Sequence, residues 1–323
     1  MPLLEIEGLS VEFATADGAI EAVDGLDLHV NEGEILGLVG ESGSGKSVTA
    51  FAILRLIRPP GRITGGTIRL EGRNLLGLRE QEMRGIRGRA ISLISQSPRT
   101  ALNPLIPVGR QISRLFELHG GISGSLARQK TLELLDLVGI SEPQRRAAQY
   151  PHQLSGGTCQ RVMIAMAIAT SPKVIIADEP TTGLDVSIAA RVLDLLRDVG
   201  LRTGAAIILI THDLGVVAET CHRVAVMHAG QLAETAPNME LFHHPAHPYT
   251  QALMRAIPRI DTQVKLEPIS GSVPSLLQPP PGCRYQNRCP ERMEVCNLKP
   301  PAFVIAPGHS ALCFAVENRR VAA

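Results

Sequence analysis

The chain has 323 residues, 44% of them hydrophobic, and a formal net charge of +1 at pH 7. That length allows one large domain with an appendage, or two domains, around a sizeable buried core. So small a net charge leaves no global basic field for nucleic acid, and no Trp, three Tyr and six Phe argue against a stacking platform for single strands. The opening Met1-Pro2-Leu3-Leu4-Glu5 has neither a basic region nor a long apolar run, so it does not read as a signal peptide. No apolar stretch approaches the roughly 20 residues of a membrane helix. The chain is expected to be soluble alone, with any membrane association made through partners.

In chain order, Leu3–Phe13 and Gly66–Glu71 alternate loosely between apolar and polar residues and are predicted to be half-exposed strands of an antiparallel sheet. Glu34–Val39 is a compact apolar strand, glycines follow it, and Ser47–Ile57 reads as a helix ended by Pro59-Pro60. Residues 109–169 look mostly helical. Val174–Ala177 and Ala206–Ile210 are rich in β-branched residues, as expected of parallel strands covered on both faces, with a helix over Ser187–Leu201 between them. The core is therefore α/β, with a helical subdomain inserted at about 109–169. From about Pro258 the chain becomes dense in Pro and Cys and lacks long periodic segments. The expected division is residues 1–257 and a small, loop-rich domain of residues 258–323. No internal repeat is present.

Gly40-Glu41-Ser42-Gly43-Ser44-Gly45-Lys46-Ser47 fits G-x-x-x-x-G-K-S between strand and helix. Its glycines let the backbone curl so that successive amides face a phosphate, and the helix start adds the positive end of its dipole. Lys46 is expected to reach the β- and γ-phosphates of a nucleotide and the Ser47 hydroxyl to hold Mg2+. Val174–Asp178-Glu179 is an apolar strand ending in two acids, at the edge where α/β sheets bind ligands. Asp178 is the expected Mg2+ partner, through water, and Glu179 the expected general base.

About a hundred residues after the phosphate loop comes Leu154-Ser155-Gly156-Gly157-Thr158-Cys159-Gln160-Arg161. The combination resembles the ATP-binding-cassette (ABC) superfamily, from Leu3 to about Pro258. The resemblance implies an ABC-type P-loop NTPase core with an N-terminal antiparallel β-subdomain. It implies that Ser155, Gly156, Gly157 and Gln160 serve ATP held by a facing partner. It further assigns Gln96, after Ser92–Ser95, to the link between nucleotide, Mg2+ and transport machinery. Asp185 is assigned to a contact with the opposite subunit, His212 to the γ-phosphate and the water, and Phe13 to stacking on adenine. Thr158, Ser97 and Gly183 depart from the residues most frequent there without removing a catalytic group, and Cys159 reads as a structural thiol.

Six cysteines are present, four of them in the last 41 residues as Cys283-x5-Cys289-x6-Cys296-x16-Cys313. Without a secretion signal such a set favours metal or cluster ligation over disulfides. With His247-Pro248-Tyr249-Thr250 upstream, the segment resembles the ATPases of oligopeptide/dipeptide/nickel ABC importers, in some of which the cysteines hold an iron-sulfur cluster. Four thiolates suit a 4Fe–4S cluster or Zn2+, although the spacing is not a close Cys-x2-Cys zinc pattern; free thiols remain the alternative. His243-His244-Pro245-Ala246-His247 is not expected to be a metal tract, since no carboxylate or thiol is in sequence reach.

The resemblance implies an ATP-hydrolysing subunit of a bacterial importer for di- or oligopeptides, peripheral on the cytoplasmic face of the inner membrane. Its implied partners are two transmembrane permease subunits, a second ATPase subunit in a homo- or heterodimer, and an extracytoplasmic substrate-binding protein. Nickel, opines, glutathione and oligosaccharides are the alternative cargoes. A soluble ABC ATPase of translation or DNA repair is the rival class. Translation factors of this type carry two cassettes, and chromosome-handling relatives a long coiled coil. Here 108 residues separate Lys46 from Ser155, without sustained heptads.

Overall fold

The computed structural model describes residues 1–256 and 267–321. The boundary expected between residues 257 and 258 lies outside the described residues. The chain forms two compact units: Met1–Val30, Leu36–Leu76 and Thr211–Ala323 in one, Asn31–Ile35 and Gly77–Ile210 in the other.

The first unit begins with β1 (Leu4–Thr15) and β2 (Gly18–Val30), a hairpin closed by a two-residue turn, then β3 (Ile35–Val39), α1 (Lys46–Ile53), β4 (Gly61–Leu70) and β5 (Arg73–Asn74). An antiparallel sheet runs in the order β2-β1-β4-β5. The loose alternation of β1 has a local cause. The pairing slips register between Ile6 and Leu9, so both side chains reach the core, where strict period two would have put them on opposite faces. Helix α1 stops at Ile53, four residues before the expected Ile57. Arg55 takes φ 51°, its N–H donates to Ala52 O at 2.9 Å, and the Leu56 N–H donates to Phe51 O at 2.8 Å. This left-handed stop satisfies the last carbonyls ahead of the prolines. It carries no sequence signal because an arginine, not a glycine, makes the turn.

The second unit contains α2 (Glu80–Arg84), β6 (Ile91–Ile94), α3 (Pro98–Ala101), α4 (Val108–Gly120), α5 (Gly124–Leu137), α6 (Pro143–Ala147), α7 (Gly156–Ile168), β7 (Val174–Asp178), α8 (Val186–Thr203) and β8 (Ala206–Ile210). Strands β6, β7 and β8 pair in parallel. Every residue of β7 and β8 is buried, which is why both read as unbroken apolar runs. Helices α4 to α7 fill the expected helical stretch.

The chain then returns to the first unit with α9 (Leu214–Thr220), β9 (Arg223–His228), β10 (Gln231–Pro237), α10 (Asn238–His243), α11 (Pro248–Arg255), β11 (Phe303–Ala306), β12 (His309–Ala311) and α12 (Phe314–Val321). Strand β3 pairs in parallel with β9, and β10, β12 and β11 follow in antiparallel succession. The Pro- and Cys-rich tail thus adds a hairpin to the sheet that carries the phosphate loop. Among the described residues, no helix is long and apolar enough to cross a membrane.

Glu234 of β10 fixes that hairpin. Its side chain is 0% exposed. One carboxylate oxygen accepts from the Ala246 N–H, the other from the His247 N–H, both at 2.8 Å, and His309 Nε2 of β12 lies 2.7 Å from the first. Removing the carboxylate takes a buried acceptor from the His247 N–H, the part-buried Ala246 N–H and the His309 imidazole. Glu234→Ala is expected to lower the unfolding free energy by about 3 kcal/mol in denaturant titration, whereas exposed Glu240→Ala stays within about 0.5 kcal/mol of the parent.

Candidate functional site

In the first unit the loop Gly40–Ser47 joins β3 to α1. Strand β3 is buried throughout and delivers the chain to Gly40, whose φ is 148°. A Cβ there would lie 2.0 Å from the Met227 carbonyl oxygen, so the loop can pass under β9 only without a side chain. Lys46, at the first turn of α1, is 7% exposed. Its ammonium donates to Gly40 O (2.8 Å), Glu41 O (2.9 Å) and Ser44 Oγ (3.1 Å), closing the loop around a cation. Ser42 and Gly43 stand exposed at the tip, and Ser47 is half-buried. A curled backbone, a helix start and a central ammonium together form an anion-binding device.

His212 lies in the same unit, exposed, in the turn before α9. The preceding Thr211 N–H donates to Leu38 O of β3 at 3.3 Å, so this turn sits beside the strand that feeds the loop. Asp213 caps α9 by accepting from the Gly215 and Val216 N–H groups. Phe13 is half-buried on β1, opposite Ile20 and Gly61. Its ring packs so closely on Gly61 that a Cβ there would meet it at 2.5 Å.

The second unit holds the remaining candidates. Asp178 ends β7 and is 5% exposed. Glu179 follows with φ 49°, a left-handed conformation unusual for a residue with a side chain. Its N–H donates to Ile210 O at 2.9 Å, and Thr182 Oγ1 donates to its carboxylate. Gln96 is exposed just beyond β6. Ser155 is the N-cap of α7, its Oγ accepting from the Thr158 N–H at 3.2 Å. A Cβ added at Gly157 would meet Ile188 at 3.4 Å and Leu184 at 3.9 Å, and Gln160 is buried at 2% exposure. Asp185 caps α8, accepting from the Ile188 N–H and from Ser187 Oγ, both at 2.9 Å; these donors hold its carboxyl below the usual range.

Sequence reasoning missed the groups that brace the phosphate loop from behind. The Glu41 carboxylate meets Arg288 in a two-point ion pair, His228 Nδ1 lies 3.5 Å away, and the Glu41 N–H donates to the Tyr249 hydroxyl at 3.0 Å. Facing His228 and Arg288, and against partial burial, Glu41 is held down to about 2. Arg284, 2% exposed, donates to Ala229 O at 2.6 Å, and the next residue, Gly230, donates its N–H to Ser44 O at 2.9 Å. Both arginines sit beside cysteines of the tail. That adjacency was visible, but nothing local reveals a partner hundreds of residues away.

The four tail cysteines carry no disulfide. Burial, reinforced by the neighbouring thiols, pushes Cys283 up to about 12 and Cys289 up to about 11, so the thiols lie within electrostatic reach of one another. Cys313 packs with Ala311, Ala315 and Val316, and Cys296 Sγ accepts from the Met293 N–H at 3.5 Å. Among the described residues, no three His, Cys, Asp or Glu side chains are arranged to hold a metal ion. The expected ligands are therefore present among the described residues without a ligand geometry, Cys283 and Cys289 as neutral thiols. In the histidine tract, His247 caps α11 through Nδ1, which accepts from the Tyr249 N–H at 3.0 Å. His244 meets Glu240 at 3.2 Å, so a carboxylate is in reach after all.

Residues 23–182 match the family described as ABC transporter, and residues 233–296 the C-terminal region of oligopeptide/dipeptide transporters. The chain is 49% identical over 316 residues to a probable peptide ABC transporter ATP-binding protein of Sinorhizobium fredii, covering 97% of this chain and 94% of the relative. It is 46% identical over 313 residues to the oligopeptide transport ATP-binding protein OppD of Salmonella typhimurium, covering 97% and 93%. Its structure is similar to the dimeric, post-hydrolysis ATP-binding cassette MJ0796 bound to ADP and Pi, with TM-score 0.67 and 28% identity, covering 73% of this chain and 98% of that one.

The loop geometry separates two glycines. Gly40→Ala must displace the Met227 carbonyl and is expected to cost more than about 2 kcal/mol in thermal or denaturant unfolding. Gly43→Ala, at φ 78° with nothing within 4 Å of the added carbon, is expected to cost about 1 kcal/mol.

Proposed function

The chain belongs to the ABC transporter family and carries the C-terminal region of its oligopeptide/dipeptide transporters, and from that membership we propose that it hydrolyses ATP to energise import of di- or oligopeptides into a bacterial cell. The observation that carries the reading is the loop closed around Lys46 at the start of α1. A buried ammonium held by loop oxygens is ready to exchange them for the β- and γ-phosphates.

We assign roles to the chain's own residues as follows. Gly40, Ser42, Gly43, Ser44 and Gly45 supply the backbone amides of the cradle, and Phe13 offers an apolar ring face for adenine. The Ser47 hydroxyl, the Asp178 carboxylate and the Gln96 carbonyl are hard oxygen donors of the kind Mg2+ takes; when bound, that ion neutralises charge between the β- and γ-phosphates. Glu179 accepts the proton of the attacking water. Its left-handed backbone is the kind of local strain that persists where the surrounding fold over-determines it. His212 orients that water and contacts the γ-phosphate.

Ser155, Gly156 and Gly157 start a helix at the surface, where backbone N–H groups favour an anion. Their proposed ligand is the γ-phosphate of ATP held by a second ATPase subunit. ATP bridging two copies glues them, and hydrolysis loosens them as the bridging charge leaves. Asp185 would contact that second subunit while capping its own helix. Buried Gln160 would act on the run from within, by supporting α7. The remaining partners proposed are two transmembrane permease subunits, on whose cytoplasmic side the chain sits, and an extracytoplasmic substrate-binding protein. Residues 1–257 are the proposed ATP-binding domain and residues 258–323 the appended domain. The tail cysteines would need rearrangement to hold a 4Fe–4S cluster or Zn2+. Supporting that reading is the proximity of the thiols, and metal ligation would remove the protons that burial keeps on Cys283 and Cys289.

Glu179→Gln is expected to retain ATP binding while hydrolysis falls by at least about a hundredfold, and to accumulate an ATP-bound dimer on gel filtration. Turnover at the parental rate would overturn the general-base role. Ser155→Arg in a mixed dimer with one labelled site is expected to stop hydrolysis at the partner's ATP; loss confined to the mutant chain's own loop would overturn the in-trans role. Iron, sulfide and zinc assays on anaerobically purified protein test the cysteines: a metal-free chain sinks the ligation reading.

A further inference from the structure

We infer that Arg288 is a positioning residue for nucleotide binding: it neutralises the Glu41 carboxylate and holds it aside, so that the phosphate loop can accept a polyanion. The inference rests on the reading of Gly40–Ser47 as the ATP site.

Glu41 is the second residue of the loop, and its position is set at every polar atom. Its N–H donates to Tyr249 Oη at 3.0 Å, and its carbonyl accepts from Lys46 Nζ at 2.9 Å. Its two carboxylate oxygens accept from Arg288, from Nη1 at 2.7 Å and from Nη2 at 3.1 Å. The Arg288 side chain is 4% exposed; its Nε donates to Ser270 O at 2.9 Å, and its guanidinium carbon lies 5.8 Å from the Tyr285 ring centroid. A fork fixed this way is built rather than incidental.

The electrostatics give the arrangement its purpose. A carboxylate inside a loop whose amides converge on a triphosphate repels the ligand, and in a partly buried setting unit charges a few ångströms apart interact strongly. The adjacent His228 is 3% exposed and held below its ordinary value by that burial, so near pH 7 it brings no full positive charge. Arg288 brings one, in the geometry that fits both oxygens of a carboxylate. Lys46 cannot do both tasks, since its ammonium faces the loop carbonyls and the Ser44 hydroxyl.

The test is ATP affinity of the full-length protein, read with trinitrophenyl-ATP as the probe and by competition with ATP. Arg288→Ala is expected to weaken binding about tenfold, with KM for ATP raised by a similar factor and kcat nearly unchanged. Arg288→Lys, which keeps the charge and loses the fork, is expected to fall between. In Arg288→Ala/Glu41→Gln the repelling charge is gone, and affinity is expected to return to within about twofold of the parent. Should Arg288→Ala not fold, Arg288→Gln, which keeps a polar chain of similar length without charge, carries the same expectations. Parental affinity in Arg288→Ala, or a loss that Glu41→Gln does not restore, overturns the inference, the second outcome marking a merely structural arginine. Lys46→Ala tests the underlying reading separately: if it binds ATP as the parent does, the loop is not the ATP site, whatever Arg288 does.

Discussion

A buried ammonium has to be surrounded by oxygen, and around Lys46 that requirement organises the first unit. Burial of a cation is costly unless hydrogen bonds replace its water. Here two backbone carbonyls and the Ser44 hydroxyl replace it, which forces the loop to curl back over its own helix start. The curl brings Gly40 against the β9 carbonyl of Met227, where no side chain fits. It leaves the Ser44 carbonyl to take the Gly230 N–H, and Arg284 holds that turn through the Ala229 carbonyl. Each support exists because the one inside it needs fixing, and the outermost supports come from the tail of the chain.

In the second unit two residues with proposed recognition roles also have a structural one. Ser155 and Asp185 are both helix caps, so each satisfies an N–H that its helix would otherwise leave exposed to water. A cap side chain is also the one polar group at a helix start with a fixed direction. Residues that must meet a ligand at defined geometry gain that precision from the same hydrogen bond. Under the proposed roles, alanine at either position would disturb a helix cap and a recognition group together, and kinetic and stability effects have to be measured side by side to be told apart.

What was legible in the sequence were the features whose cause is local. Strands β7 and β8 are buried on both faces, and their apolar runs say so. The phosphate loop needs glycines at fixed offsets, and the Ser-Gly-Gly run needs a cap before a helix. Local signals failed where a side chain of unusual type did the job: Arg55 stopping α1, or His247 capping α11. They failed entirely where partners are distant. The Glu41–Arg288 and Glu234–His309 pairs have no periodicity, because charge pairs across a fold are set by topology. The tail cysteines were legible as a group, but spacing alone could not say that burial would hold Cys283 and Cys289 as neutral thiols.

The distance between Glu41 and Arg288 along the chain, 247 residues, has a consequence for how the protein is made. On the ribosome, the strand, loop and helix of the phosphate site emerge early, with a naked carboxylate in the loop and no hydroxyl from Tyr249 to take its N–H. The countercharge arrives only when nearly nine-tenths of the chain has been translated. Until then a nascent chain would be a poor trap for cellular ATP, and a chain cut short before residue 288 would carry a complete phosphate-loop sequence without its electrical balance.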